Sequence, residues 1–233
     1  MPRIAVNSLT SVLDRVASFA DLEQMITVED VRLLISDITF VTKNLLINNG
    51  FSEREVTKLT TKLRDAGRRS PPWSAFSNRV PGRPQDGADG NRRLRWLFEP
   101  DHKFYADEIV ATLVEVKYYL QVLSMTNCPP LPEDTIQDKF SWLVGHRILP
   151  GEYKDPIQLI PIDLKEILKD LRQIHSGHLI PLDRGGRHEP KNTFLVLARS
   201  NQLQGNLTLS ELLLLMEQII KRHSNPEEEK ILK

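Results

Sequence analysis

The segment 172–206 constrains the fold of this chain more strongly than any other part of the sequence. Residues 172–182 combine apolar and polar positions as a strand does, and Pro181 suits only a strand edge or exit because it lacks an amide donor. The Gly185-Gly186 pair follows as a turn, since glycine adopts positive φ at little steric cost. Thr193–Leu197 is a short β-branched and apolar run. The segment therefore predicts a β-hairpin.

Two helices are predicted after the hairpin. Ser200 offers an N-cap for the first, and Gly205 ends that helix after about one turn. Thr208 and Glu211 have the spacing of a capping box, which opens a second and longer helix. Its apolar residues are expected to form one face that packs against the hairpin and supports it; they are Leu212, Leu213, Met216, Ile219 and Ile220.

Three polar side chains fall at the junctions of this unit. His178 lies at the end of the first strand, Asn192 at the exit of the loop and Asn201 at the start of the short helix. Such a set can hold one divalent cation beside one general base, a combination that cleaves phosphodiesters. A neutral histidine suits the base because its ordinary pKa lies near working pH. The structural alternatives are a satisfied buried histidine, a plain turn asparagine and an ordinary helix residue.

Together these residues resemble the HNH family of endonucleases, which share the ββα-metal (His-Me finger) fold. The pattern covers about residues 170–222 and runs His178-Leu-Ile-Pro-Leu, Gly185-Gly186, Asn192, Leu195-Val-Leu, Arg199-Ser-Asn201 and Gly205. The resemblance implies that His178 is the general base that activates a water against the scissile phosphate. It also implies that Asn192 fixes the loop and orients that histidine, and that Asn201 is a ligand of Mg²⁺, Mn²⁺ or another divalent cation.

The metal site departs from the family pattern at one position. Gly177 stands where many family members carry an aspartate ligand immediately before the base histidine. His175 and Asp183 are therefore the candidates to complete the metal site with Asn201, and His188 is a further candidate. On a regular strand His175 faces the side opposite to the base, and a surface histidine is the commoner interpretation of both additional histidines.

The single cysteine, Cys128, excludes the cysteine pairs of a zinc ribbon and suits a reducing cytoplasm. The helix over 208–222 is therefore expected to brace the hairpin instead. No apolar run is long enough to span a bilayer, and the N-terminus has no charged-then-apolar signal segment, so a cytoplasmic protein without a membrane partner is expected. The sequence has no glycine-rich phosphate loop, and no organic cofactor is expected.

Positive charge is concentrated in one part of a chain whose totals balance, with 31 Lys plus Arg and 31 Asp plus Glu. Residues 67–95 are rich in Pro, Gly and Arg. They predict either an arginine-rich arm that lies along DNA, with Trp73, Phe76 or Trp96 stacking, or a solvated linker whose aromatic residues pack on the body. The residues expected to contact DNA are Arg68, Arg69, Arg92, Arg93, Arg184, Arg187 and Arg199.

The remaining sequence predicts helices. The first should run from Leu9 to Met25, Thr27 and Ser52 should open two more with capping residues, and Asp107–Met125 should be amphipathic. A further helix is expected near 133–144, and Asp163 should cap a short one. The expected organisation is a helical region (1–66), a basic arm (67–104), a helical and connector region (105–168), the finger (169–224) and an acidic flexible tail (225–233).

The sequence therefore predicts a mainly α fold with a small β-hairpin, in which a helical N-terminal region precedes a C-terminal ββα-metal (HNH) finger. The expected function is a divalent-metal-dependent endonuclease acting on double-stranded DNA, of the type II restriction or phage-defence kind. A restriction enzyme needs two sites to cut both strands, so a homodimer is expected. The alternatives are a DNA-binding module whose finger has lost metal through Gly177, and a nuclease subunit of a larger defence complex.

Overall fold

The computed structural model describes residues 6–20, 26–71, 92–132 and 136–224. Over these ranges the chain is mainly helical, with eight α-helices and one two-stranded antiparallel hairpin. The fold class expected from the sequence, mainly α with a small β element, is confirmed. The elements are α1 Val6–Ala20, α2 Val28–Asn48, α3 Glu53–Arg68, α4 Glu108–Leu123, α5 Ser141–Val144, α6 Leu164–Lys169, β1 Ile174–His178, β2 Thr193–Leu197, α7 Ala198–Gln204 and α8 Leu209–Ser224.

Helix starts follow the capping signals of the sequence at most positions. Thr27 forms a capping box with Asp30, in which each side chain accepts from the other residue's backbone amide. Asp107 caps α4 by accepting from the Ile109 amide at 2.8 Å. Ser52 precedes α3 but makes no side-chain cap hydrogen bond, so the capping box expected there is wrong. Helix α3 packs against α4.

The central element is α4, which is buried on all sides. Every residue from Val114 to Leu123 is buried, so α4 is not the amphipathic surface helix that its sequence suggested. It packs against α2 and α3 and also against β2. One apolar core consequently runs from Leu13 in α1 through α4 to Leu195 in β2.

Polar side chains of α4 hold the hairpin from behind. The Lys117 ammonium donates to the carbonyl of Pro190 at 2.6 Å, and the Gln121 side-chain oxygen accepts from the Leu195 amide at 3.0 Å. A third contact joins the Tyr118 hydroxyl to the Ser176 hydroxyl at 2.5 Å. Breaking one of these bonds would leave a buried polar group unpaired, which is costly. They therefore fix the position and the orientation of the hairpin relative to α4.

The brace expected from α8 is wrong. Among its apolar residues only Leu212 is buried, and the stretch from Leu213 to Ser224 is exposed along its whole length. The capping box of Thr208 and Glu211 is confirmed, since the Thr208 amide donates to Glu211 and the Glu211 amide donates to the Thr208 hydroxyl. The capping box therefore predicted the start of α8 correctly, but the hairpin is supported by α4 and not by α8.

Several element boundaries differ from those read in the sequence. Helix α5 covers only Ser141–Val144 of the range 133–144, of which 133–135 lie outside the described residues. Strand β1 ends at His178 and does not reach residue 182. Ser200 is not an N-cap, because α7 begins at Ala198 and the buried Ser200 hydroxyl accepts instead from Gln158 at 2.6 Å. Asp163 caps α6, and Gly205 ends α7, as expected.

The basic segment is described only at its ends. Arg69 and Leu94 form an isolated antiparallel bridge, and the Ser70 amide donates to the Arg93 carbonyl at 2.9 Å, so the two ends lie side by side. Residues 72–91, with Trp73 and Phe76, lie outside the described residues. Among the described helices, none has both the length and the apolar character needed to cross a bilayer.

Candidate active site

The hairpin explains why Gly177 is a glycine. In the β1–β2 register Gly177 lies opposite Phe194 and His178 lies opposite Thr193. A Cβ atom at Gly177 would lie 2.6 Å from the Phe194 ring and 3.0 Å from Val196 Cγ1. An aspartate at this position would require the Phe194 ring to move, and the hairpin accordingly offers no carboxylate immediately before His178.

Asn192 holds the two ends of the loop between the strands together. Its side-chain oxygen accepts from the Ile180 amide at 2.8 Å, and its side-chain nitrogen donates to the carbonyls of Ile180 at 3.0 Å and Arg187 at 2.8 Å. The loop also passes so close to the strand end that a Cβ at Gly186 would lie 1.9 Å from the Ile180 carbonyl oxygen. The buried amide and the glycine together fix the backbone that follows the candidate base.

Two hydrogen-bonded histidine rings determine the tautomer of His178. His188 Nε2 lies 2.7 Å from the Gly67 carbonyl oxygen, and because a carbonyl only accepts, this nitrogen carries the proton. In a neutral ring His188 Nδ1 is then an acceptor, and it lies 3.2 Å from His178 Nε2. His178 Nε2 must therefore be the donor. The lone pair of a neutral His178 is left on Nδ1.

Burial keeps both rings neutral. It lowers the pKa of His178 to about 4, and the positive charge of Arg95 acts in the same direction. Burial, Arg95 and then His178 together hold the pKa of His188 well below its ordinary value. The Arg95 side chain donates to the Phe104 carbonyl at 3.3 Å, and burial lowers its own pKa to about 10.

The candidate base opens onto a cleft of about 490 Å³. The side chains that line it include Ser176, His178, Asp183, Asn201, Gln204 and Lys103. Gln204 donates to the His178 carbonyl at 2.8 Å, which ties α7 to the end of β1. The cleft thus brings His178, the candidate base, to a common space with Asn201 and Asp183, two of the candidate metal ligands.

The third candidate ligand, His175, contacts Asn201 instead of lining the cleft. Its Nδ1 lies 3.4 Å from the side-chain nitrogen of Asn201. Burial and the nearby Lys62 lower the pKa of His175, which favours a neutral ring that accepts from the Asn201 amide. The oxygen of the Asn201 carboxamide then points away from His175.

The oxygen donors of the cleft fit a hydrated cation better than a fully caged one. Asp183 lines the cleft but is paired with Lys103 at 2.6 Å and is largely exposed. Within the described ranges no group of three or more His, Cys, Asp or Glu side chains could hold a metal. Mg²⁺ keeps several waters and commonly takes only one or two protein ligands beside substrate phosphates, which suits Asn201 with Asp183 nearby.

The arginines predicted to contact DNA divide into two groups. Arg68 is paired with the buried Glu115, Arg184 with Glu211, and both Arg69 and Arg92 with Asp65, at 3.9 and 3.3 Å. Burial raises the pKa of Glu115 to about 7, against the opposing effect of Arg68. Arg93, Arg187 and Arg199 are exposed and form no ion pair with the described residues, whereas Arg184 is exposed but paired. Arg187 and Arg199 belong to the hairpin loop and to α7, on the elements that carry the cleft.

Sequence reasoning missed two residues beside the base. His188 was expected at the surface, and this is wrong, because its side chain is only 1% exposed. Arg95 was counted with the basic arm, yet it is 2% exposed and lies close enough to His178 to lower its pKa. The presence of a second histidine within the hairpin was the available signal for His188; no local pattern distinguishes Arg95 from its neighbours.

Comparison with known proteins gives a distant structural likeness. No protein-family model matches the chain, and no curated protein matches it significantly in sequence. A solved structure described as the crystal structure of a type II restriction endonuclease superposes with a TM-score of 0.44 and 19% sequence identity. The match covers 52% of this chain and 55% of that one, so it spans about half of each protein.

Proposed function

We propose that this chain is a divalent-metal-dependent endonuclease of the HNH type that hydrolyses phosphodiester bonds in double-stranded DNA. One observation carries the proposal. The contacts from His178 to His188 and from His188 to Gly67 hold the proton of His178 on Nε2 and leave its lone pair on Nδ1. His178 lines the cleft. A general base needs a free lone pair at a fixed position, and this relay supplies both.

In the proposed reaction His178 Nδ1 takes a proton from a water molecule as that water attacks the phosphorus atom. A new bond forms between the water oxygen and phosphorus, and the bond from phosphorus to the 3′ oxygen breaks. The leaving oxygen takes a proton from solvent. The imidazolium formed at His178 lies beside the phosphate charge, which offsets the unfavourable effects of burial and of Arg95.

Asn201 and Asp183 would hold the cation, Mg²⁺ or Mn²⁺, with water completing its coordination. When bound, it would supply positive charge at the phosphate and at the leaving 3′ oxygen. His175 would keep the Asn201 oxygen turned toward that position through the contact at 3.4 Å. Asn192 would keep the loop after His178 rigid, so that the base and the ligands stay in register.

Exposed cations on the elements that carry the cleft suit a nucleic-acid backbone. Arg187 and Arg199 are exposed on the hairpin loop and on α7, and Lys103 borders the cleft. Contacts of this type hold phosphates without reading sequence. A restriction or phage-defence enzyme is the kind of endonuclease we propose, working in the cytoplasm on foreign duplex DNA without an organic cofactor.

The test is cleavage of supercoiled plasmid by the purified full-length chain with Mg²⁺ or Mn²⁺ and with chelator. We expect nicked and linear products with metal, and a loss of about 100-fold or more for His178→Ala, which removes the base. His223→Gln, at an exposed position near the end of α8, is the matched control and should keep full activity. Equal cleavage by wild type and His178→Ala would contradict the proposed role of this histidine.

A second candidate function is a DNA-binding module that keeps the finger without catalysis. The absence of a carboxylate at Gly177 and the lack of room for one favour it. This alternative predicts DNA binding that is unchanged by metal or chelator, together with intact plasmid under every condition. The same plasmid assay, run beside a gel-shift titration, separates the two.

A further inference from the structure

A second hollow lies between α2, α3 and α4. It has a volume of about 150 Å³, and none of the residues that line it also lines the cleft at His178. Each helix contributes two polar side chains that are about one helical turn apart: Thr39 and Lys43 from α2, Thr60 and Arg64 from α3, and Glu115 and Tyr119 from α4. The hollow is therefore a polar site among helices that otherwise share an apolar core.

Positive charge exceeds negative charge in this hollow. Lys43, Arg64 and Arg68 line it, against one carboxylate, Glu115. Arg68 is paired with Glu115, and the Arg64 guanidinium lies 3.2 Å from the Asp65 carboxylate. Among the ion pairs of the described residues, none includes Lys43. The two pairs therefore leave one ammonium group without a counterion, and the hollow suits an anion.

Glu115 is a charged residue in a position that usually holds an apolar one. It is 1% exposed and lies in the middle of α4, among the buried residues of that helix. Burial raises its pKa to about 7, although Arg68 acts in the opposite direction. A buried acid with a perturbed pKa that borders a polar hollow is typical of a binding or catalytic site. When Glu115 takes up a proton, Arg68 loses its counterion and becomes available to a bound anion.

We propose that this hollow binds a small oxyanion of the phosphate or sulfate type, held by Lys43, Arg64 and Arg68. The hydroxyls of Thr39 and Thr61 border the same space and are further donors. Charge-assisted hydrogen bonds to an oxyanion are stronger than those between neutral groups. The volume is below the roughly 300 Å³ at which pockets for drug-sized ligands begin, so the ligand is small. Thr61 and Arg64 are exposed, which leaves the hollow open to an ion from solvent.

The first test is a titration of the full-length chain with sodium sulfate, followed by amide NMR at an ionic strength held constant with sodium chloride. For wild type we expect saturable shifts of amides around the hollow in α2, α3 and α4. Lys43→Met with Arg64→Met removes two of the cations and should weaken sulfate binding by about tenfold or more. The matched control, Arg54→Met with Lys58→Met, removes the same charge from exposed positions of α3 outside the hollow and should bind as wild type does.

Circular dichroism checks that both double variants keep their fold. A wild type without saturable shifts would overturn the proposal, and so would equal affinities of the two double variants. The titration does not require that the chain cleave DNA, so failure of the anion site and failure of the proposed reaction are distinguishable.

The second test uses pH to place the anion beside Glu115. Sulfate keeps its double negative charge over the range from about pH 6 to 8, whereas Glu115 titrates at about 7. Protonation of Glu115 removes a negative charge from the hollow, so the affinity of wild type for sulfate should fall as pH rises through this range. Glu115→Gln cannot titrate, and its affinity for sulfate should not change with pH.

The other charged or titratable groups that face Glu115 come from all three helices: Lys43 from α2, Arg64, Asp65 and Arg68 from α3, and Tyr119 from α4. None of these residue types ordinarily titrates between about pH 6 and 8, so the pH dependence reports Glu115. A wild-type affinity that does not vary with pH, or the same variation in Glu115→Gln, would overturn the assignment of the anion to this hollow.

A third titration identifies the source of the oxyanion. A free phosphate-type ion and a backbone phosphate of duplex DNA share the chemistry that this hollow would recognise. The sulfate-saturated protein is therefore titrated with a short DNA duplex in the presence of chelator. Displacement of sulfate by the duplex would assign the hollow to the DNA backbone, and retention of sulfate would assign it to a free small ion.

Discussion

The two sides of the cleft are built in different ways. On the base side, His178 is held through His188 by a carbonyl of α3; the His188 ring is buried and His178 is half-buried. On the cation side, Asn201 is half-buried and Asp183 is exposed, and Gly177 has no room for a carboxylate beside them. Under the proposed function, the base would be positioned before substrate binds, and the cation would be held largely by water and substrate.

The largest effect should come from protonating the base side. Folding holds the pKa of His178 at about 4, below the 6.5 of an ordinary histidine, so the unfolded chain binds more protons between these values. Stability is therefore full above about pH 6.5 and falls as pH drops toward 4, by roughly 3 kcal/mol from this ring, with His188 adding to the loss.

The measurement is urea unfolding at a series of pH values. His178→Gln cannot titrate at this position and should show a shallower fall with decreasing pH than wild type. Parallel curves for the two proteins would contradict the depressed pKa and the neutral ring.

The second effect tests the loop that the base depends on. Asn192→Ala leaves the Ile180 amide and the carbonyls of Ile180 and Arg187 without their partner, which should lower the free energy of unfolding by about 3 kcal/mol. Asn192→Asp keeps the acceptor for the amide and loses the two donors, so an intermediate loss is expected. The urea midpoints of wild type, Asn192→Ala and Asn192→Asp measure these losses. Indistinguishable midpoints would mean that the Asn192 hydrogen bonds do not stabilise the loop.

The third effect adds a carboxylate to the cation side. Gly177→Asp places a Cβ against the Phe194 ring, and the strain should destabilise the chain by about 2 kcal/mol. Combining it with Phe194→Leu should restore part of the loss and strengthen Mn²⁺ binding, measured by electron paramagnetic resonance. If Gly177→Asp alone is as stable as wild type, crowding by Phe194 does not explain why an aspartate is absent before His178.

The fourth effect separates the relay from the base itself. His188→Phe keeps a ring in the buried position and removes both nitrogens, so kcat should fall about tenfold, or about 1.4 kcal/mol, with little change in KM for DNA. Nitrogen NMR should show the His178 proton redistributed between Nε2 and Nδ1. An unchanged tautomer in this variant would mean that His188 does not position the base.

The smallest effect belongs to Asp183. Because this carboxylate is exposed and already paired with Lys103, Asp183→Asn should raise the Mg²⁺ concentration for half-maximal cleavage only a few-fold, below 1 kcal/mol. Glu166→Gln removes an exposed, ion-paired acid on α6 and serves as the control. A complete loss of cleavage in Asp183→Asn alone would mean that the cation side is as strictly built as the base side.

Local signals in the sequence predicted local structure well. The Gly185-Gly186 turn, the Thr208 capping box and the Asp163 cap depend on residues within a few positions of one another, and all three elements occur. Strand and helix ends were less accurate, as at α5 and α7, because tertiary contacts such as the Gln158–Ser200 hydrogen bond decide them. Periodicity identified α8 as a helix but carried no information on what covers its apolar stripe.

The site was predictable only as far as its residues share one segment. His178, Asn192 and Asn201 lie within the hairpin unit, and their types and spacing were enough to select them as candidates, whose roles stay predictions. The contacts that set the tautomer and the pKa of the candidate base come from outside the hairpin unit. Gly67 is 121 residues from His188 in the sequence, and Arg95 and α4 also precede the hairpin by many residues. Pairings over such separations depend on how α3 and α4 pack, which no local pattern encodes.

The contact of His188 with Gly67 bears on how this protein can be divided. A fragment made of the hairpin and its helices alone would lack the carbonyl at the end of α3, the Arg95 charge and the Lys117, Tyr118 and Gln121 contacts from α4. If this fragment were transferred to another protein, it would keep His178, Asn192 and Asn201, but His188 would lose the Gly67 carbonyl that orients it. The contacts from α3, Arg95 and α4 therefore belong to the surroundings of the candidate base, and a transferable unit would have to include them.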